Sequence, residues 1–108
     1  MNGGEYNGKR VLGKLTLETM TRVPAQVMSE GRSLGWDNFS SYASNNGNLF
    51  HPDRTFGHTG YTGTSFIVDP VSKTAVILLA HRVHPVDKGS VVRLRALVAN
   101  AVAGSVIK

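Results

Sequence analysis

Residues 57–64 bring backbone freedom, hydroxyl groups and an imidazole into one short segment. The sequence there is Gly-His-Thr-Gly-Tyr-Thr-Gly-Thr. Each glycine in a strand costs about 0.5–1 kcal/mol relative to alanine, a cost tolerated where the backbone must closely approach a ligand or another backbone. The edge of such a strand can hold a substrate carbonyl or carboxylate through backbone N–H groups, threonine hydroxyls and the imidazole.

The same segment is also consistent with a strand that has only a structural role. Glycine-bearing strands with solvent-facing threonines need no ligand, and a single histidine such as His58 is more often an ordinary surface or core residue than a catalytic one. Tyr61 and Phe66, taken singly, are typical packing aromatics. Residue spacing alone leaves both interpretations open.

The longer string at residues 54–70 resembles the third active-site element of the β-lactamase-related serine hydrolases. This family includes class C β-lactamases, D-alanyl-D-alanine carboxypeptidases and related esterases. Its element is Lys/His-Thr/Ser-Gly on the strand that edges the active site, and here it reads His58-Thr59-Gly60. The resemblance extends along nearly the whole chain, to residues 2–8, 11–12, 34–37 and 78–85.

The resemblance implies a role for each residue of this element. Thr59 would offer its hydroxyl to the substrate, and Tyr61 would give its backbone N–H to the oxyanion hole. Gly60 would keep the strand clear of the acyl group. His58 stands where β-lactamases usually carry lysine, and a neutral imidazole attracts a carboxylate less than an ammonium does. This difference favours ester or peptide-like substrates over β-lactams.

Two further elements of the family have no convincing match. The family's nucleophile lies in Ser-x-x-Lys, where the lysine helps to activate the serine. Ser105 and Lys108 have that spacing, but they lie at the chain end, in the wrong order and context. The Tyr-x-Asn element is not matched by residues 42–44. In the family both elements precede the His-Thr-Gly strand.

These observations predict that residues 1–108 form a single partial domain, the C-terminal portion of a serine hydrolase acting on ester, amide or β-lactam substrates. The portion would supply the His-Thr-Gly strand and be inactive alone. Its expected partners are the N-terminal remainder of the hydrolase and a small ester, amide or peptidoglycan-like substrate, with no cofactor and no metal. The family is often periplasmic or at the cell surface, whereas residues 1–10 contain no apolar signal core.

The hydrophobic pattern predicts the first half of the fold. Leu15, Leu17 and Met20 favour a short amphipathic helix that Pro24 would end. A strand is expected around Leu34 and Trp36. Residues 38–55 are polar and predict a surface loop, in which Asn46-Gly47 is a turn signal that would suit a small hairpin.

The second half reads as two strands and a helix. Residues 56–68 and 74–83 predict a hairpin joined by residues 69–73, with the second strand central and covered on both faces. The helix face is marked by Val91, Leu94, Val98, Ala101 and Val102. The predicted fold class is α+β: about three antiparallel strands, a short N-terminal helix and a C-terminal helix packed on the sheet, as part of a β-lactamase/transpeptidase-like fold. One sheet face has little to cover it, which predicts a missing partner surface.

Composition limits the remaining alternatives. The chain has 108 residues, 41% hydrophobic and 18% charged, with no cysteine and a net charge of +5. No apolar stretch approaches the ~18 residues of a membrane span. The charge leaves open a stand-alone basic module that binds nucleic acid or another acidic surface, but the basic residues are spread along the chain and nucleic acid is not the expected partner. A metal site would need side chains from His51, His58, His81, His84 and Asp53, whose spacing is not that of a zinc site.

Overall fold

The computed structural model describes residues 1–107, which fold into two small antiparallel sheets and two α-helices. In chain order the elements are β1 (Glu5–Tyr6), β2 (Lys9–Arg10), α1 (Lys14–Thr21), a 3-10 helix (Ala25–Glu30), a second 3-10 helix (Ala43–Asn46), β3 (Phe56–Thr59), β4 (Ser65–Asp69), β5 (Thr74–Leu78) and α2 (Val92–Ser105). The predicted α+β class is confirmed.

β4 is the central strand of the main sheet, with β3 and β5 on either side in antiparallel pairing. Ile67 lies opposite Gly57 in β3 and opposite Val76 in β5. Because side chains alternate across a strand, Ile67 and Val76 share one face, and Phe66 and Val68 share the other. The sheet therefore carries a separate apolar layer on each face.

Helix α2 covers the face that carries Ile67. Phe50, Ile67, Val76 and Ala99 form a buried cluster, against which Val98, Val102 and Ala103 pack. Ala99 is fully buried, so the helix backbone approaches the sheet closely there. The predicted C-terminal helix is confirmed, although Leu94 on its predicted inner face is 45% exposed.

Aromatic side chains and α1 lie on the opposite face. The ring centroid of Trp36 lies 5.1 Å from that of Phe56 and 6.1 Å from that of Phe66. A cavity of about 420 Å³ lies between these rings and the α1 side chains Leu17 and Met20. The predicted N-terminal helix is confirmed, and it covers this face loosely.

The prediction of a strand around Leu34 and Trp36 is wrong. Gly35 has φ +78°, a left-handed conformation that an extended strand does not continue through. In the described residues, this segment pairs with β3 only at Asp37, which forms backbone hydrogen bonds of 2.8 and 2.9 Å with Gly57. This part of the chain is thus a loop fastened to β3 at one residue.

Asn46-Gly47 does not close a hairpin either. Residues 43–46 form a 3-10 helix, and Gly47 follows it with φ +72°. The Asn48 backbone N–H donates to Asn100 Oδ1 on α2 at 2.9 Å. The turn chemistry at these residues therefore ends a short helix that packs beside α2.

Residues 56–68 form two strands rather than the one expected. The chain leaves β3 after Thr59, reverses through residues 60–64 and returns as β4. Gly63 makes the reversal possible, because its φ is +129° and a Cβ there would lie 2.6 Å from the Ala80 carbonyl oxygen. The glycines of the segment therefore serve a tight turn as well as a strand.

β5 is an edge strand, so its expected central position is wrong. Within residues 1–107 it pairs only with β4, and Ile77 is 64% exposed. The predicted hairpin itself is confirmed, with residues 70–73 as its connection because Asp69 belongs to β4. Neither α-helix of the described residues has the length and apolar character that a bilayer crossing requires.

Candidate active site

Within residues 1–107, the outer edge of β3 pairs with Asp37 at Gly57 and has no paired backbone segment at Thr59. Gly57 directs its N–H and C=O away from β4, toward Asp37. Thr59, two residues further, directs its backbone groups to the same side, because hydrogen-bonding direction alternates along an antiparallel strand. The His-Thr-Gly element thus begins where the Asp37 pairing stops.

A tight turn follows Thr59 and presents Tyr61. The Gly60 N–H donates to the Thr64 carbonyl at 2.8 Å, and the Gly63 N–H donates to the Gly60 carbonyl at 3.1 Å. Within residues 1–107 the Tyr61 N–H has no hydrogen-bond partner. Among the described residues, the turn therefore leaves one backbone donor free, two residues after Thr59.

The buried guanidinium of Arg95, from the first turn of α2, holds this turn from behind. Its Nη2 donates to the carbonyls of Gly60 and Thr64, both at 2.8 Å, and its Nε donates to the Gly63 carbonyl at 3.2 Å. Nη1 donates to Asn45 Oδ1 at 3.3 Å. Burial is the larger of two causes that lower the pKa of Arg95, and the nearby positive charge of Arg82 is the smaller one.

Arg82 and Asp87 hold Tyr61 from the other side. Arg82 Nε donates to the Tyr61 carbonyl at 2.8 Å, and its guanidinium carbon lies 4.3 Å from the centre of the Tyr61 ring. Asp87 accepts hydrogen bonds from the Tyr61 hydroxyl and from Arg82, the latter at 2.7 Å. The Tyr61 backbone is thereby fixed although its side chain is 71% exposed.

These groups line one cleft of about 300 Å³. Its walls contain Thr59, Gly60 and Tyr61, three of the four site residues predicted from the sequence, together with Tyr42, Asn45, Arg82, Arg95 and residues 89–92. The lining residues include hydroxyl-bearing side chains and two arginines. The cleft is suited to a ligand with a polarised carbonyl or a negative charge.

His58, the fourth predicted residue, does not line this cleft. Its Nε2 lies 2.9 Å from Arg32 Nη2, and its Nδ1 lies 3.0 Å from the Thr59 carbonyl oxygen. A guanidinium only donates and a carbonyl only accepts, so this geometry assigns the ring proton to Nδ1. The His58 ring is therefore neutral and accepts a hydrogen bond from Arg32. Arg32 also lies 3.5 Å from Asp37.

The other histidines do not converge. The ring centroids of His81 and His84 are 6.2 Å apart, and His81 Nδ1 accepts the His84 backbone N–H. In the described part of the chain, no group of three or more His, Cys, Asp or Glu side chains could hold a metal ion. Ser105 donates to the Val102 carbonyl at the end of α2, while Lys108 lies outside the described residues.

Comparison with known proteins decides the family. The family model described as Beta-lactamase matches residues 1–101. The chain belongs to the β-lactamase family. It is 36% identical over 86 residues to a Salmonella gallinarum protein and 35% identical over 86 residues to one from Salmonella typhi, both named "Putative D-alanyl-D-alanine carboxypeptidase". Each match covers 78% of this chain and 19% of the relative. No solved structure matches.

The sequence does not single out Arg95 as part of this cleft. It is one of the basic residues spread along the chain, but it is only 7% exposed. The signal was present in the spacing: Arg95 stands three and four residues before Val98 and Ala99, which places it on the buried face of α2. A charged residue on the apolar face of a helix indicates a specific set of partners.

Proposed function

We propose that this chain supplies one wall of the acyl-transfer site of a serine hydrolase. In this wall Thr59 offers its hydroxyl and Tyr61 its backbone N–H to the substrate. The observation that supports the proposal is the turn after Thr59, in which the Tyr61 N–H has no hydrogen-bond partner among residues 1–107 and Tyr61 lines a polar cleft. Membership of the β-lactamase family supports the reaction class.

The proposed chemistry is acyl transfer through a serine. The nucleophilic oxygen attacks the carbonyl carbon of an ester or amide, and the carbonyl oxygen becomes an oxyanion. The Tyr61 N–H donates to that oxyanion, which stabilises the transition state more than the ground state. The alcohol or amine leaves with a proton, and water then releases the acid from the acyl-serine.

The nucleophile of the proposed site comes from polypeptide outside these 108 residues. Ser105, with the right spacing to a lysine, lies at the far end of α2 from Arg95, which contacts the site. Ser105 lies ten residues after Arg95, which is about 15 Å along the helix at a rise of 1.5 Å per residue. Ser105 therefore lies too far from Tyr61 to attack a carbonyl held there.

The same proposal extends to the surface that the rest of the hydrolase would cover. Ile77 is 64% exposed and Leu79 is 83% exposed along the open edge of the sheet. Apolar side chains beside unpaired strand backbone are typical of a surface that another segment covers. We propose that the remainder of the hydrolase packs here.

The proposed substrates are small esters and amides that carry a carboxylate, including peptidoglycan-like peptides. Two features support this class. Arg32 places a positive charge beside the His58 ring, and Arg82 and Arg95 are among the residues that line the cleft. The names of the Salmonella relatives indicate carboxypeptidases that act on D-alanyl-D-alanine, which ends in a carboxylate.

A hybrid protein tests the proposed role of Thr59. The 86-residue segment of the Salmonella gallinarum relative that matches this chain is replaced by its counterpart here. Hydrolysis of a p-nitrophenyl ester is then compared for the hybrid, its Thr59→Ala variant and a Thr16→Ala control, which removes an exposed hydroxyl from α1. Loss of a hydrogen bond to a developing charge lowers kcat/KM by roughly ten- to hundredfold in Thr59→Ala only. Equal activity of the two variants contradicts the proposal.

A further inference from the structure

We propose that Arg95 is a positioning residue that orients and polarises the Gly60–Tyr61 peptide group. Its catalytic meaning rests on the proposed function, in which the N–H of this peptide is the oxyanion donor. Its physical basis is separate, because it concerns contacts within residues 1–107. The contact that carries it is the hydrogen bond of 2.8 Å from Arg95 Nη2 to the Gly60 carbonyl.

The Gly60 carbonyl and the Tyr61 N–H belong to the same planar peptide unit. In a trans peptide these two groups point in opposite directions. The Gly60 carbonyl is held by Arg95 Nη2 and by the Gly63 N–H at 3.1 Å. Fixing the carbonyl on one side therefore fixes the direction of the Tyr61 N–H on the other side, away from the Arg95 guanidinium.

The charge of Arg95 also changes how strongly that N–H donates. A hydrogen bond from a guanidinium is roughly twice as strong as one between neutral groups. It draws electron density toward the Gly60 oxygen and so increases the double-bond character of the C–N bond. The Tyr61 N–H then carries more positive charge, which is the cooperative strengthening expected of linked hydrogen bonds at low dielectric.

The partners of Arg95 indicate that its burial serves this turn. Among the described residues its side chain has no carboxylate within ion-pair distance. A buried cation without a counter-ion is costly, so a helix that only needed to fill space would carry an apolar residue there. Three of the four acceptors that replace the counter-ion are carbonyls of residues 60–64, and the fourth is the amide oxygen of Asn45.

NMR on the 108-residue chain tests the proposal without nucleophile or substrate. Arg95→Met removes the donors and keeps an apolar stem, whereas the control Arg93→Met changes an exposed arginine of the same helix. The proposal predicts that Arg95→Met moves the Gly60 carbonyl carbon and Tyr61 amide proton resonances upfield. It also predicts that exchange of the Gly63 amide rises roughly tenfold or more, as expected from loss of hydrogen bonds to a charged group. Arg93→Met leaves all three unchanged.

Arg95→Lys is a second variant that keeps the test decisive if Arg95→Met does not fold. Lysine keeps the charge but has no planar fork for three carbonyls, so the same resonances move in the same direction by a smaller amount. Unchanged Gly60 and Tyr61 resonances in a folded Arg95→Lys or Arg95→Met protein would overturn the proposal. That result leaves the proposed function standing. Equal activity of the Thr59→Ala hybrid and its control, together with shifted resonances, removes the proposed function and keeps the action of Arg95 on the peptide.

Discussion

At the scale of single residues, the positive charge beside the His58 ring belongs to Arg32. The ring accepts from Arg32 and donates to the Thr59 carbonyl, so it links a charge to the strand without carrying one. The resemblance places His58 where β-lactamases usually carry lysine. Arg32, which also lies 3.5 Å from Asp37, brings a guanidinium near that position from a different part of the chain, and the motif alone does not predict this contact.

A substitution of Arg32 separates charge from packing. In the hybrid described above, Arg32→Met raises KM for a carboxylate-bearing ester by roughly two- to fivefold, the range expected for a partly exposed charge contact. The KM for a matched ester without a carboxylate stays the same, because only the charged substrate loses an attraction. Steady-state kinetics on the two esters measure the effect. A similar rise for both substrates contradicts a role for the Arg32 charge.

At the scale of elements, Asp69 fixes the hairpin that holds β4 in the centre of the sheet. Its buried carboxylate accepts from the backbone N–H groups of Val71 and Ser72 at 3.3 and 3.1 Å, and from the Ser72 hydroxyl at 2.6 Å. This is the side-chain-to-backbone bonding that favours aspartate before a turn. The hairpin was predicted from the sequence because the turn signal is local.

Asp69→Ala should therefore destabilise the whole sheet. Loss of these hydrogen bonds, with the turn N–H groups left unpaired, lowers the free energy of unfolding by about 1–3 kcal/mol. Urea unfolding followed by Trp36 fluorescence measures the change, and Asp53→Ala, at an exposed loop position, serves as the control. Equal stability of the two variants would mean that the turn forms without the carboxylate.

Element order was less predictable than element type. The helices follow from side-chain periodicity, which a chain shows by itself. The break of residues 56–68 into two strands depends on a turn whose carbonyls are held by Arg95, 31 residues beyond Thr64. The edge position of β5 depends on which strands pair, and its apolar run was typical of a central strand. Long-range contacts of this kind leave little trace in local sequence.

At the scale of the whole molecule, one face of the sheet is packed and the open edge is not. The cluster of Phe50, Ile67, Val76 and Ala99 joins α2 to the sheet, whereas Ile77 on β5 and Leu79 directly after it are largely exposed. The hydrophobic pattern of the sequence predicted the α+β class and a sheet face with little to cover it. The chain spans about a fifth of the length of the Salmonella relatives that it matches.

The exposed edge predicts self-association of the isolated chain. Sedimentation velocity at rising concentration should detect dimers or larger species, because an apolar strand edge pairs with another copy. Ile77→Lys reduces this association, whereas Val71→Lys, at an exposed position in the β4–β5 turn, does not. If the chain is monomeric at all concentrations, the exposed β5 edge does not cause self-association.

In the proposed hydrolase, this chain contributes an oxyanion donor and a hydroxyl, but not the nucleophile. Labelling with a serine-directed fluorophosphonate, followed by peptide mapping, tests this for the 108-residue chain, the hybrid and the unmodified Salmonella relative. We expect the chain alone to be unlabelled and the hybrid, like the relative, to be labelled on a serine outside residues 1–108. An adduct on a serine within residues 1–108, Ser105 included, would contradict it.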